Sequence, residues 1–231
     1  MTTTWEQFRK AGARISAFAG VSGVVMGLAC LAWSLLAAQV TAPIEPSFAG
    51  LELAIVAEIN RLRGDPSAYA TKLEAWRPLN HGQLIITPKD GYETTEETQE
   101  GLPALEEAIS ALRSTHPMTA LSVSNSLARA ARDHVKNQGP SGQVGHNDTD
   151  GRNPLARVGR PTAGRFSLAE NISYGRWTAE DLVRHELIDD GVRDRGHRRN
   201  LLNKDFHNIG VACGKHASYG IMCVLDFATA F

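Results

Sequence analysis

Charge of one sign is what this chain lacks most. Its 24 basic and 25 acidic side chains leave a formal net charge of -1, so no broad field gathers nucleic acid, and partners must be found by local chemistry. Cysteine is scarce, at three residues. There is no internal repeat and no low-complexity tract, which excludes solenoid and linker architectures. No stretch carries a clear nucleophile or an obvious metal-water arrangement. Hydrophobic residues at 42% against 21% charged are too many for disorder and suit one ordinary domain with a proper core.

The one long apolar run is N-terminal. Arg9, Lys10 and Arg14 precede an uncharged stretch from Ile15 to about Val40, the pattern of a basic n-region and an h-region. Val40-Thr41-Ala42 before Pro43 resembles a small-residue cleavage site, yet the run is also long enough to span a bilayer uncleaved. Residues 1–42 are therefore expected to be a signal peptide or an N-terminal transmembrane anchor with its basic end cytoplasmic. Residues 43–231 form the exported part, whether secreted, periplasmic or held at the membrane. Cys30 reads as a buried thiol of the run, since Gly27 stands where lipid attachment wants Leu.

Cys213 and Cys223 flank Gly214 to Met222, with strand formers on either side. A turn centred near Ser218 sets the two cysteines opposite each other in a hairpin. In an oxidising compartment they are expected to form a cross-strand disulfide worth about 2–3 kcal/mol. Two free thiols, or a cysteine pair completing a metal site with other ligands, are the alternatives.

Ile55, Ile59 and Leu62 recur at helical spacing before Gly64, predicting a helix that stops there. Asp65 as N-cap and Pro66 at the first helical position restart the chain as a second helix carrying Tyr69, Leu73 and Trp76. From about 78 to 100 the chain turns polar, with Pro88, Gly91 and a Thr/Glu-rich stretch, and is read as an exposed insertion without assigned chemistry. Leu105, Ile109 and Leu112 mark a third helix. Leu127, Ala131 and Val135 mark a fourth, entered through Ser124 or Asn125 and closed by Gly139. Gly, Pro, Asn and Asp then crowd residues 138–162, a long loop containing His146, and such loops often carry function. A further helix is predicted from Ala179 to about Asp190 with Thr178 as N-cap. Helices around an antiparallel hairpin give an α+β class.

Asn60-Arg61-Leu62-Arg63-Gly64-Asp65-Pro66, Gly145-His146, Ala169-Glu170-Asn171-Ile172, Gly196-His197-Arg198-Arg199-Asn200-Leu201-Leu202 and Asn208-Ile209-Gly210-Val211 together resemble the CAP superfamily. Its members include the cysteine-rich secretory, antigen 5 and pathogenesis-related proteins, and the likeness is greatest to the bacterial SCP-like branch. It runs from about Leu51 to Phe231. The resemblance implies an α-β-α sandwich with a central antiparallel sheet, and a cleft with two histidines and two acids. His146, Glu170 and His197 carry over by motif. For the fourth member, placing Val183 and Leu187 on the family's helical pattern reaches Asp190, with Asp189 or Glu186 as alternatives if the register slips.

Two imidazoles with two carboxylates suit zinc or another divalent metal, His146 and His197 supplying the nitrogens. The same set without metal is an acid/base constellation. Glu170 and Asn171 also fit a purely structural role, bonding backbone groups at a loop-to-strand junction. His134, on the inner side of the fourth helix, reads as a hydrogen-bonded packing residue; His81, His116, His185, His207 and His216 are unassigned. Arg193, Arg195, Arg198 and Arg199 interleave with Asp189, Asp190 and Asp194, read first as mutual solvated pairing and second as an anionic glycan or lipid-headgroup contact. Asn147-Asp148-Thr149 and Asn171-Ile172-Ser173 match glycosylation sequons. The leading expectation is an extracytoplasmic binding module for a lipid, sterol, glycan or other envelope ligand. A metal-dependent hydrolase of an envelope or extracellular substrate is the alternative, and a structural envelope protein stands third.

Overall fold

Ala49–Gly64 forms α1, which buries Ile55, Ile59, Leu62 and the whole of Arg63. The computed structural model describes residues 48–89, 92–159 and 166–231, so the export segment expected at 1–42, Cys30 included, lies outside them. Among the described residues no helix is long and apolar enough to cross a membrane. Asp65 accepts the Ala68 N–H at 2.9 Å and Pro66 opens α2, Pro66–Glu74, as the cap chemistry predicts.

The polar stretch after α2 is a folded unit. Strands β1 (Asn80–His81), β2 (Leu84–Lys89) and β3 (Tyr92–Glu97) make a three-stranded antiparallel sheet in that order. Its faces are mostly exposed, Ile85 being the buried exception, so apolar/polar alternation is too faint to mark strands. Pro88 sits beyond the reach of β1, where β2 has a neighbour on one side only, a place where a missing N–H costs little.

Next come α3 (Leu102–Ser114), the short β4 (Ser122–Val123), α4 (Asn125–Gln138), α5 (Pro154–Val158), β5 (Leu168–Tyr174), α6 (Ala179–Ile188), α7 (Gly196–Leu201), β6 (Asn208–His216) and β7 (Gly220–Ala228). Ser124, Asn153 and Thr178 cap α4, α5 and α6 through side-chain oxygens. The main sheet has the order β4-β6-β7-β5. It is antiparallel except for β4, which pairs parallel with β6 at Ser122↔Asn208 and Val123↔Ile209.

The pleat of β6 and β7 divides the core between two faces. Ile209, Val211, Ile221, Leu225 and Phe227 pack with α1, α2, α3 and α6, while Ala212, Met222 and Val224 meet Ala131 and Val135 of α4 and Ile172 of β5. Helices thus cover both faces, giving an α-β-α sandwich of α+β class. A Cβ on Gly210 would lie 2.1 Å from the Ala128 nitrogen; only glycine lets α4 rest directly on β6. Cys213 and Cys223 are register partners and are disulfide-bonded, with Cα atoms 4.1 Å apart.

The arginine cluster pairs outward more than with its neighbours. Arg199 bonds Asp194 at 2.6 Å, but Arg195 reaches Glu100 and Glu107, and Arg198 reaches Glu107 and the carbonyls of Leu187 and Ile188. Asn171 is fully buried, which removes its sequon from reach, whereas Asn147 is exposed.

Candidate functional site

The loop bearing His146 is pinned from two elements. Buried His134 on α4 meets Asp148 Oδ1 at 2.6 Å and the Gly145 carbonyl at 3.0 Å, and Gln138 Nε2 donates to the same carbonyl at 2.8 Å. From β5, the Tyr174 hydroxyl accepts the Gly145 N–H and donates to Gln138 Oε1. His134 is therefore a packing residue that fastens the loop, as its helical position suggests.

His146 then meets Glu170, Nδ1 to Oε1 at 2.8 Å. Glu170 occupies the middle of β5, not a loop-to-strand junction; polar Glu170, Asn171 and Ser173 within the strand hide its period. Its Oε2 is bonded by Arg157 of α5, which also donates to the His146 carbonyl at 2.9 Å and to Asp148 at 3.2 Å. The Arg157 and Glu170 side chains are both sealed from solvent, while His146 is 54% exposed. A guanidinium thus sets both the backbone of His146 and the carboxylate it touches. Nothing in the local sequence singled out Arg157.

The second histidine sits on the other side of β5. The pleat sends Asn171 away from Glu170, so that Asn171 Nδ2 donates to Glu186 Oε2 at 2.9 Å and to the His197 carbonyl at 3.2 Å. His197 Nδ1 meets Asp189 Oδ1 at 2.7 Å, and Asp189 Oδ2 accepts the N–H groups of His197 and Arg198 at the start of α7. Asp189 adopts φ 56°, a left-handed conformation that Asp tolerates; the turn aims its carboxylate back at α7. Asp190, where the helical register pointed, has its carboxylate on the backbone N–H groups of Gln99 and Glu100 at 2.5 and 2.8 Å. The acid in contact with His197 is one residue earlier.

Hydrogen bonding to Asp189 holds His197 above the ordinary histidine range, against the opposing effect of burial. Burial pushes Glu186 up to about 7, although His197 and Asn171 pull the other way. His185 of α6 is pushed down to about 4, chiefly by burial and by Arg176.

Each pair borders its own cavity. His146 and Glu170 line an open cavity of about 620 Å³ together with Asn153, Pro154, Leu155, Phe166, Leu168 and Ala169. His197 lines a smaller one of about 220 Å³ with Ser173, Glu186, Asp189, Asp190 and Tyr219. The structure thus brings Glu170 to His146 and Asp189 to His197, without joining the pairs. Among the described residues, no group of three or more His, Cys, Asp and Glu side chains is disposed to hold a metal ion. The residues present do not fit a zinc centre shared by His146 and His197, because the two pairs lie on opposite faces of β5.

A model of the cysteine-rich secretory protein family, CAP, matches residues 106–227, a span that contains both histidine pairs and the disulfide. The chain belongs to this family. Among solved structures it is similar to an outer surface protein from Borrelia burgdorferi, at 20% identity over 55% of this chain and 90% of that one, with a TM-score of 0.41. It is also similar to an extracellular protein containing an SCP domain from Bacillus anthracis, at 20% identity, 59% and 46% coverage and a TM-score of 0.39. A cysteine-rich secretory protein from Staphylococcus aureus gives 17% identity, 61% and 45% coverage and 0.34. The chain spans less than half the length of these last two. No curated protein matches. Family membership and the Cys213–Cys223 disulfide agree with an extracytoplasmic protein.

Proposed function

We propose that the chain is an extracytoplasmic binding module whose ligand is amphiphilic, with an apolar body and a hydroxyl-bearing head. The observation that carries this reading is the larger cavity, whose lining combines apolar Pro154, Leu155, Phe166, Leu168 and Ala169 with polar His146, Asn153 and Glu170. Its volume of about 620 Å³ lies within the common range of small-molecule sites. With Nδ1 on Glu170, the other imidazole nitrogen of His146 remains to meet the head group, and in the neutral ring it accepts a hydrogen bond. A long-chain alcohol or a sterol has that chemistry. A carboxylate-headed lipid would be repelled by Glu170. A metal-dependent hydrolase built on one ion held by both imidazoles is less favoured, since the two histidine pairs lie on opposite faces of β5.

Titration of the full chain with parinaryl alcohol, followed by polyene fluorescence, tests the reading. Saturable binding should weaken at least tenfold when Leu155→Arg fills the cavity, and several-fold in His146→Phe. Parinaric acid should bind more weakly than the alcohol. Equal binding of the alcohol by wild type and Leu155→Arg would overturn the proposal.

A further inference from the structure

We infer that Asp226 is a proton-bearing positioning residue of the larger cavity, a carboxylic acid that donates to Glu170 and so fixes the carboxylate on which His146 rests. The inference deepens the binding reading and takes from it the cavity's role as a ligand site.

The geometry begins with register. Asp226 on β7 is the direct partner of Glu170 on β5, and of Gly210 on β6 at its other side. Register partners in an antiparallel ladder project from the same face. Two carboxyl groups therefore stand side by side, and glycine leaves nothing on the far flank. Asp226 is 0% exposed, and neither of its oxygens has a hydrogen-bond partner as an acceptor.

An ionised carboxylate in that place would be shut off from solvent and without a hydrogen-bond donor, beside a second carboxylate, a combination whose desolvation cost the Arg157 charge offsets only in part. The neutral acid has no such difficulty. It carries one hydrogen to give, and Glu170 is the acceptor beside it. Glu170 then holds three partners: His146 and Arg157 in the bonds already described, and Asp226.

The surroundings agree. Burial and the charge of Glu170 push Asp226 up to about 8, with Arg157 alone pulling down. Facing it from β5 is Glu170 and from α5 is Arg157; β6 offers Gly210, and α4 meets that spot with Leu127 and Ala128, which carry no charge. At neutral pH the two carboxyls share one negative charge beside the Arg157 guanidinium, which also bonds Asp148. Loss of the proton sets two carboxylates against each other, and Glu170 loses the fixed position from which it orients His146.

Two measurements on the full chain test this, one of them independent of any ligand. The carboxyl carbon of isotopically labelled Asp226, assigned by its loss in Asp226→Asn, should titrate with a midpoint above 6.5. A midpoint below 5 would overturn the inference whether or not the cavity binds anything. For parinaryl alcohol, affinity of wild type should fall about tenfold from pH 6.5 to pH 9. Asp226→Asn, which keeps a donor but cannot titrate, should hold the pH 6.5 affinity throughout, while Asp226→Ala should be weakened at both. An Asn variant that follows the wild-type pH profile would also overturn it. Absence of alcohol binding in wild type, with the carbon midpoint above 6.5, would refute the ligand reading and leave the proton on Asp226.

Discussion

Asp189 and Asp190 are adjacent, chemically identical and differently employed. The left-handed backbone at Asp189 turns its carboxylate onto His197 and the first N–H groups of α7, while Asp190 goes to the backbone of Gln99 and Glu100. Asp189→Asn is therefore expected to bring His197 down toward the ordinary histidine value, read by NMR titration of the ring. Asp190→Ala should leave that titration in place and instead speed hydrogen exchange at the Gln99 and Glu100 amides. Val183 and Leu187 do lie on the buried face of α6, as the family pattern expects; which neighbouring acid then meets His197 depends on a turn set by how α7 docks, which local spacing does not encode. Asp226 was less legible still. A single acid inside Gly220–Ala228 acquires its role from a strand more than fifty positions away. Glu186 makes a further residue-scale prediction. Its value of about 7 is raised above that of the unfolded chain, so the folded state binds the extra proton and stability falls as pH rises from about 4.5 through 7. Glu186→Gln should flatten that fall, measured by urea unfolding at pH 5 and pH 8.

Helices were easier to read than strands because their ends carry chemistry. Asp65, Ser124 and Thr178 each accept a backbone N–H where a cap was expected, and Pro66 follows the first of them. Strand β5 gave no such sign, since its residues 170, 171 and 173 are polar for reasons that lie across the sheet, and the insertion sheet has too little buried surface to impose alternation. The β6–β7 hairpin was legible from its symmetry about Ser218. Its disulfide closes a loop of sequence separation 10, and the chain-entropy estimate for such a loop is about 2–3 kcal/mol. Reduction, or Cys213→Ser with Cys223→Ser, should lower the thermal midpoint by several degrees; an unchanged midpoint with and without reductant would contradict that contribution.

For the molecule as a whole, Arg63 is the tie. Fully buried near the end of α1, it donates to the carbonyls of Thr119, Leu201, Asn203 and Phe206 at 2.9–3.1 Å. Four carbonyls from two distant segments would lose their donor together in Arg63→Met, at an expected cost of about 3–5 kcal/mol from unsatisfied buried acceptors. Arg63→Lys should recover little of it, because one ammonium cannot span a planar fork of donors. Denaturant titration of the two variants checks both statements.

The same guanidinium joins residues 138 or more positions apart at its longest reaches, and α1 packs on β6, almost the last strand to be made. An emerging chain must therefore carry α1 without its β6 neighbour until synthesis is nearly over. Closure is an end-of-chain event, slow by its long loop. The side of α1 that rests on β6 stays uncovered until the final hairpin arrives.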